Sequence, residues 1–282
     1  YMKILLLGEK GSLGRQFKNL FRDKKINFNG ISRKKNKIKF THRNLKKIVD
    51  KTKPDIILNC IALTGLIYCQ NKSKEAYEVN TNIPINLLKI ISKRSIKLIH
   101  FSTEAVFQGK ISKKIYFEND KPNPKTIYGK SKLLADKKIL KSKNTLVIRL
   151  PMLFGPTHKN QIISKLLINL IKGEKVCVAD DVFSTPVYSP DLCKFVYYEC
   201  IKKNNFFNRK LVHFTSSKAY SIYDFVYNLS KNIKEINLDQ IVKVKDAFFG
   251  KNIKLKPKNL GLTSLYGDCI KKVDFKVAKK LI

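Results

Sequence analysis

Tyr128-Gly-Lys-Ser-Lys132 places a phenol and an ammonium four residues apart, which on a helix is one turn along a single face. A phenol ordinarily titrates near ~10, so it exchanges protons with a substrate oxygen near neutrality only where its surroundings favour the phenolate. Lys132 supplies the favourable charge at this spacing, and its ammonium is also suited to holding a ribose hydroxyl. An exposed lysine-rich helix shows the same Tyr-x-x-x-Lys pattern by chance, so the pair gains meaning only from context. Phe101-Ser-Thr-Glu104 closes an apolar run 25 residues before Tyr128, and a hydroxyl emerging there is placed to bind the reacting oxygen. Thr103 is the expected partner and Ser102 the alternative; a strand-end turn cap is the plainer reading of either.

The second constellation is Gly8-Glu-Lys-Gly11-Ser-Leu-Gly14, a Gly-x-x-Gly-x-x-Gly loop between an apolar run and an amphipathic stretch. Gly8 allows a tight exit from a strand, Gly11 lets backbone approach a pyrophosphate, and Gly14 lets a helix pack on the sheet. The amides of Ser12 and Leu13 then sit at the helix N-terminus, facing the anion. Glu9 is unfavourable beside a pyrophosphate unless it points away. Cofactor choice is read at the end of the second strand, where Ser32-Arg33-Lys34-Lys35 offers no carboxylate for the ribose hydroxyls of NAD. Arg33 or a neighbouring lysine suits a 2′-phosphate, so NADP is preferred and NAD stays open.

Lys3 to Leu7 and Asp55 to Cys60, which must support these residues, read as strands buried on both faces, and Asn27 to Ser32 as a weaker one. Leu13, Phe17, Leu20 and Phe21 give a helix its apolar stripe. Helices are expected over 44–51 and 75–94, the second kinked at Pro84, then a strand over 95–102, a helix over 128–141 and a strand over 145–150. This alternation predicts an α/β fold, a doubly wound parallel sheet of Rossmann type, with ligands at the carboxyl ends of its strands. The expected division is a dinucleotide-binding domain over 1–155 and a smaller, interleaved C-terminal substrate lobe over 156–282. That lobe opens with a helix over 161–172 and a short strand over 176–178.

The charge of +37 comes from 58 Lys and Arg against 21 Asp and Glu. It is spread in pairs such as Lys24-Lys25, Lys46-Lys47 and Lys137-Lys138, so a solvated lysine surface is preferred to a nucleic-acid face. Six cysteines without a C-x-x-C pair indicate neither metal site nor disulfide framework, and no metal is expected. The run Ile4 to Leu7 is too short for a secretory core, and Ile56 to Cys69 is broken by Asn59, Thr64 and Gly65. No membrane association and a cytoplasmic location are expected; Tyr1 ahead of Met2 reads as an appended residue.

Taken together, these segments resemble the extended short-chain dehydrogenase/reductase superfamily, and within it the dTDP-4-dehydrorhamnose reductase-like group. Pro54-Asp-Ile-Ile-Leu-Asn-Cys-Ile-Ala62 is similar to the group's cofactor-wall strand, and Ala76-Tyr-Glu-Val-Asn80 to its helix with a cofactor-side asparagine. Ser102-Thr-Glu-Ala-Val-Phe-Gln-Gly109, Pro122-Asn-Pro124 with Tyr128 to Lys132, Ile148-Arg149 and Lys256-Pro-Lys-Asn259 complete the resemblance. It implies cofactor contacts at Cys60, Ala62, Asn80 and Lys132, and substrate contacts at Ser102, Glu104 and Met152. It also implies that Thr103 holds the substrate oxygen while Tyr128 protonates it, beside Lys132. The implied reaction is NAD(P)H-dependent reduction of a 4-keto-6-deoxysugar nucleotide, in nucleotide-sugar and surface-polysaccharide biosynthesis. Glu104, Ala105 and Pro151-Met-Leu153 depart from the group's pattern, and Asp180 to Pro186 matches only in part. A sugar-nucleotide epimerase or dehydratase, a non-catalytic dinucleotide-binding regulatory subunit and a homodimer remain open alternatives.

Overall fold

Strands that run apolar without alternation need a cover on both faces, and the computed structural model supplies two. It describes residues 2–33, 39–109, 115–157, 161–246 and 258–282. Strands β1 (Ile4–Leu7), β2 (Phe28–Ile31), β3 (Ile56–Asn59), β4 (Lys97–Thr103), β5 (Thr145–Leu150) and β6 (Leu211–His213) form one sheet in the order β2-β1-β3-β4-β5-β6. Every pairing in it is parallel. Successive side chains leave a strand on opposite faces. Thus Ile4, Leu6, Ile56 and Leu58 meet Phe17 and Phe21 of helix α1 (Ser12–Asp23). Leu5, Leu7 and Ile57 meet Leu45 and Val49 of α2 (His42–Thr52) and Leu87 on the other side. From β1 the chain runs outward to β2 on one side and to β3 on the other. A crevice therefore opens at the carboxyl ends of β1 and β3.

The helix expected over 75–94 is three pieces. After α3 (Leu66–Asn71), which the pattern did not announce, come α4 (Ser73–Tyr77), a π turn over Glu78–Asn82 and α5 (Ile83–Ile91). Pro84 lies in the first turn of α5, where a missing N–H costs nothing, and the wide turn before it absorbs the break. Helix α6 (Ile127–Ile139) carries Tyr128 and Lys132.

Past β5 the chain builds a second core and also returns to the sheet. Helix α7 (Ile162–Ile171), the strand Val176–Ala179 and helix α9 (Ile222–Ser230) bury Leu167, Val178 and Phe225 together. Helix α8 (Ser189–Phe195), by contrast, packs Leu192 and Phe195 with Phe17 and Phe21, and β6 pairs with β5. Leu192, Phe195 and Leu211–His213 thus belong to the sheet and its helix layer. No helix of the described residues is long and apolar enough to cross a membrane.

Candidate active site

The glycine loop is shaped by close approaches. Gly8 leaves β1 at φ +84°, its N–H donating to the Ile31 carbonyl at 2.8 Å. A Cβ on Gly14 would overlap the Gly8 carbonyl oxygen, so no other residue lets α1 start against the loop. Gly11 caps α1 with no side-chain bond, and the helix's first turn carries no acidic residue. An uncapped, acid-free helix start over a glycine loop fits the pyrophosphate of a dinucleotide. Arg15, exposed on the next turn, adds a cation at the cleft. Glu9 is only 1% exposed; its carboxylate lies under Gly30 of β2, where Lys18 Nζ pairs with it at 3.4 Å, so it does not face the cleft.

The reacting groups come together through one helix contact. Thr126 caps α6 by accepting the Gly129 N–H at 3.1 Å, and a Cβ on Gly129 would overlap the Ala105 carbonyl oxygen. The glycine inside the Tyr-x-x-x-Lys motif therefore seats α6 on the turn that follows β4. Tyr128 and Thr103 line the same end of the cleft as a result, and burial pushes the phenol up to about 12, the Thr103 side chain opposing. The expected lowering by Lys132 is not what this arrangement shows. Lys132, 1% exposed, donates from Nζ to the Phe101 carbonyl at 2.6 Å and lies 3.3 Å from His100 Nε2. Burial pushes its pKa down to about 8, with Asp136 and then Cys60 opposing.

On the substrate side, Glu104 accepts a 2.9 Å bond from the Ser184 hydroxyl, which itself accepts the Met152 N–H at 3.3 Å. Burial pushes Glu104 up to about 8. Ser102 lines the cleft but gives its hydroxyl proton to Asp136 at 2.8 Å, and Asp136 also accepts from Arg149 Nε at 3.3 Å. Arg149 continues to His213 of β6 at 3.5 Å.

The glycine loop and the reacting groups meet at one cleft of about 770 Å³ at the switch point. Gly11, Ser12, Leu13, Cys60 and Ala62 form its expected cofactor wall; Ser102, Thr103, Glu104, Tyr128, Lys132 and Met152 form the reacting end. Gly8 and Gly14 shape the loop without lining it. Ser32 is buried at the end of β2 and Arg33 is exposed beside it; neither lines the cleft, and Lys34 and Lys35 lie outside the described residues. Asn80 is turned away altogether. Fully buried in the π turn, it accepts the Leu63 N–H at 2.9 Å and donates to the Leu63 carbonyl at 3.0 Å and to Ser131 at 3.2 Å. It ties the cleft wall to α6 and touches no open space. Sequence reasoning missed Arg15, His100, Asp136 and Ser184, of which only Arg15, four residues after Gly11, carries a local signal.

A family model described as the RmlD substrate binding domain matches residues 2–259. The sequence is 28% identical over 234 residues to the dTDP-4-dehydrorhamnose reductase of Aggregatibacter actinomycetemcomitans, covering 79% of this chain and 76% of that protein. It is 25% identical over 237 residues to the methionine adenosyltransferase 2 subunit beta of Danio rerio, covering 79% and 72%. The solved dTDP-4-dehydrorhamnose reductase of Bacillus anthracis str. Ames, in complex with NADP, matches the fold with a TM-score of 0.80 at 21% identity, over 94% of this chain and 90% of that one.

Proposed function

Because the chain belongs to the RmlD substrate binding domain family, we propose that it is a sugar-nucleotide reductase, acting on a 4-keto-6-deoxysugar nucleotide with NADPH in preference to NADH. The observation that carries this reading is that Thr103, Tyr128 and Lys132 together line one end of a cleft whose other wall is the glycine loop. The reduced nicotinamide supplies the hydride when bound. Thr103 holds the keto oxygen by hydrogen bonding, and Tyr128, a protonated phenol at neutral pH, gives that oxygen its proton. Gly11, Ser12 and Leu13 orient the dinucleotide through backbone amides, and Arg15 adds charge at the mouth. Arg33, exposed at the end of β2 with no carboxylate following it, supports the preference for a 2′-phosphate. Glu104, kept neutral by burial, donates to a sugar hydroxyl beside Met152. It is the one carboxylate among the described residues lining the cleft, which disfavours a dehydratase needing an acid/base pair beside the tyrosine.

The test is oxidation of NADPH and NADH with a panel of 4-keto-sugar nucleotides. Tyr128→Phe is expected to slow turnover by about 10²–10⁴-fold with dinucleotide affinity kept. Consumption of neither reductant, with no dinucleotide bound, sinks the proposal. Similarity to the subunit beta of Danio rerio favours a second reading, a dinucleotide-binding regulatory subunit. Tight NADPH binding without turnover of any panel member supports that one instead.

A further inference from the structure

His100 is a fully buried residue of β4 that the proposed reaction does not use, yet both of its ring nitrogens are engaged. Nδ1 lies 3.1 Å from Asn59 Nδ2, and Nε2 lies 3.3 Å from Lys132 Nζ. The direction of the Asn59 amide is fixed, because its Oδ1 accepts the Ile61 N–H at 3.2 Å. Its Nδ2 therefore faces the ring, and an amide nitrogen only donates. Nδ1 must then accept, which puts the proton of the neutral imidazole on Nε2. Burial first, and then the charge of Lys132, hold the ring neutral by keeping its pKa well below the usual imidazole value.

That proton points at Lys132. An ammonium has no lone pair, so it meets Nε2–H as donor against donor. A neutral amine satisfies both contacts at once, donating to the Phe101 carbonyl and accepting from His100. We propose that His100, locked by Asn59 in its Nε2–H tautomer, hydrogen-bonds the neutral amine of Lys132 and so makes it a lysine that can give up and regain a proton rather than a fixed cation. His100 is thus a positioning residue that acts through Lys132. The other charged or titratable groups acting on this lysine are Asp136, one turn further along α6, and Cys60, which lines the same cleft. Asp136 and Cys60 favour the ammonium, but Arg149 draws on Asp136 at 3.3 Å and burial outweighs them both.

The use of this device rests on the reductase reading. Once Tyr128 has protonated the substrate oxygen, its phenolate recovers a proton from the Lys132 ammonium. One lysine N–H bond breaks as the tyrosine O–H bond forms, and the resulting amine is held by His100 Nε2–H. A solvent proton then restores the ammonium, so one proton enters per turnover.

The test begins with the cofactor-free wild-type protein. Nitrogen-15 NMR of the His100 ring, assigned by its loss in His100→Gln, is expected to show the proton on Nε2 throughout the neutral range. Lys132 side-chain signals, assigned by their loss in Lys132→Met, are expected to titrate near 8. His100→Gln offers the ammonium an amide oxygen, and Asn59→Leu frees the ring to carry its proton on Nδ1. Both are expected to move the lysine titration up by about one unit, with the alkaline limb of kcat/KM following it. A residue that merely fills space would lower the rate equally at every pH. A proton on Nδ1 in the wild type, or a Lys132 titration unmoved in both variants, overturns the proposal. The NMR titrations need neither cofactor nor substrate. Failure to reduce any keto-sugar would therefore remove the reductase reading and leave this one standing.

Discussion

Burial pushes the Glu104 carboxyl from an ordinary 4.5 up to about 8, the Ser184 hydroxyl opposing only weakly. Between those values the folded state holds a proton that the unfolded chain has released. The stability linked to this proton is complete below the unfolded value and is lost as pH rises to about 8. Glu104→Gln keeps the neutral form at every pH. Its thermal midpoint is expected to exceed that of the wild type by a few degrees at alkaline pH and to converge with it in acid; parallel melting curves at all pH values would contradict this. A second expectation concerns Arg33: Arg33→Ala should weaken NADPH affinity by about tenfold and leave NADH affinity unchanged, as read by fluorescence titration. Thr103, Tyr128 and Lys132 were legible because their spacing within a strand end and a helix is local information. The direction of Glu9, the turning away of Asn80 and the pairing of Asn59 with His100 were not, since each depends on a strand or loop neighbour distant in sequence.

At the scale of elements, the seating of α6 decides whether those residues meet. Gly129→Ala gains up to about 1 kcal/mol of helix propensity. It also drives a methyl group into the Ala105 carbonyl, and such overpacking costs about 1–3 kcal/mol. The clash should win, with a lower urea midpoint and an unchanged slope. Displacing α6 by an ångström parts Tyr128 from Thr103 and should cost about 10²-fold in kcat. An equally stable and equally active Gly129→Ala would show that α6 is not held by this contact. The parallel strands were readable because burial on both faces leaves an unbroken apolar run, as in Ile4–Leu7. Leu211–His213 was not, being three residues long and identified as a sheet strand only by its pairing with β5. The π turn over Glu78–Asn82 was half legible: Pro84 announced a break, but not that the widening precedes it.

For the whole molecule, the excess of 58 basic over 21 acidic residues is a self-repulsion that the fold carries everywhere. Raising salt from about 0.02 to about 0.5 M shortens the screening length several-fold, so the melting temperature should rise while NADPH affinity falls. A melting temperature that drops with salt would contradict this account. His213 makes the opposite end of the buried network acid-sensitive. Its ring lies against the Tyr116 and Thr263 carbonyls, and burial pushes its pKa from 6.5 down to about 4. The unfolded chain takes up that proton first. Stability is therefore present above 6.5 and lost as pH falls towards 4, a slope that His213→Gln should flatten in urea titrations.

The pairing of β6 with β5 has a consequence in time as well as in space. A nascent chain that has left the ribosome only as far as Leu150 can pair Thr145–Leu150 with β4 on one side but presents its other side as an open edge. Apolar edges of this kind recruit strands from neighbouring chains. Its own partner, Leu211–His213, arrives only after the intervening stretch has been synthesised. The interval of translation between those two segments is when this edge stands uncovered.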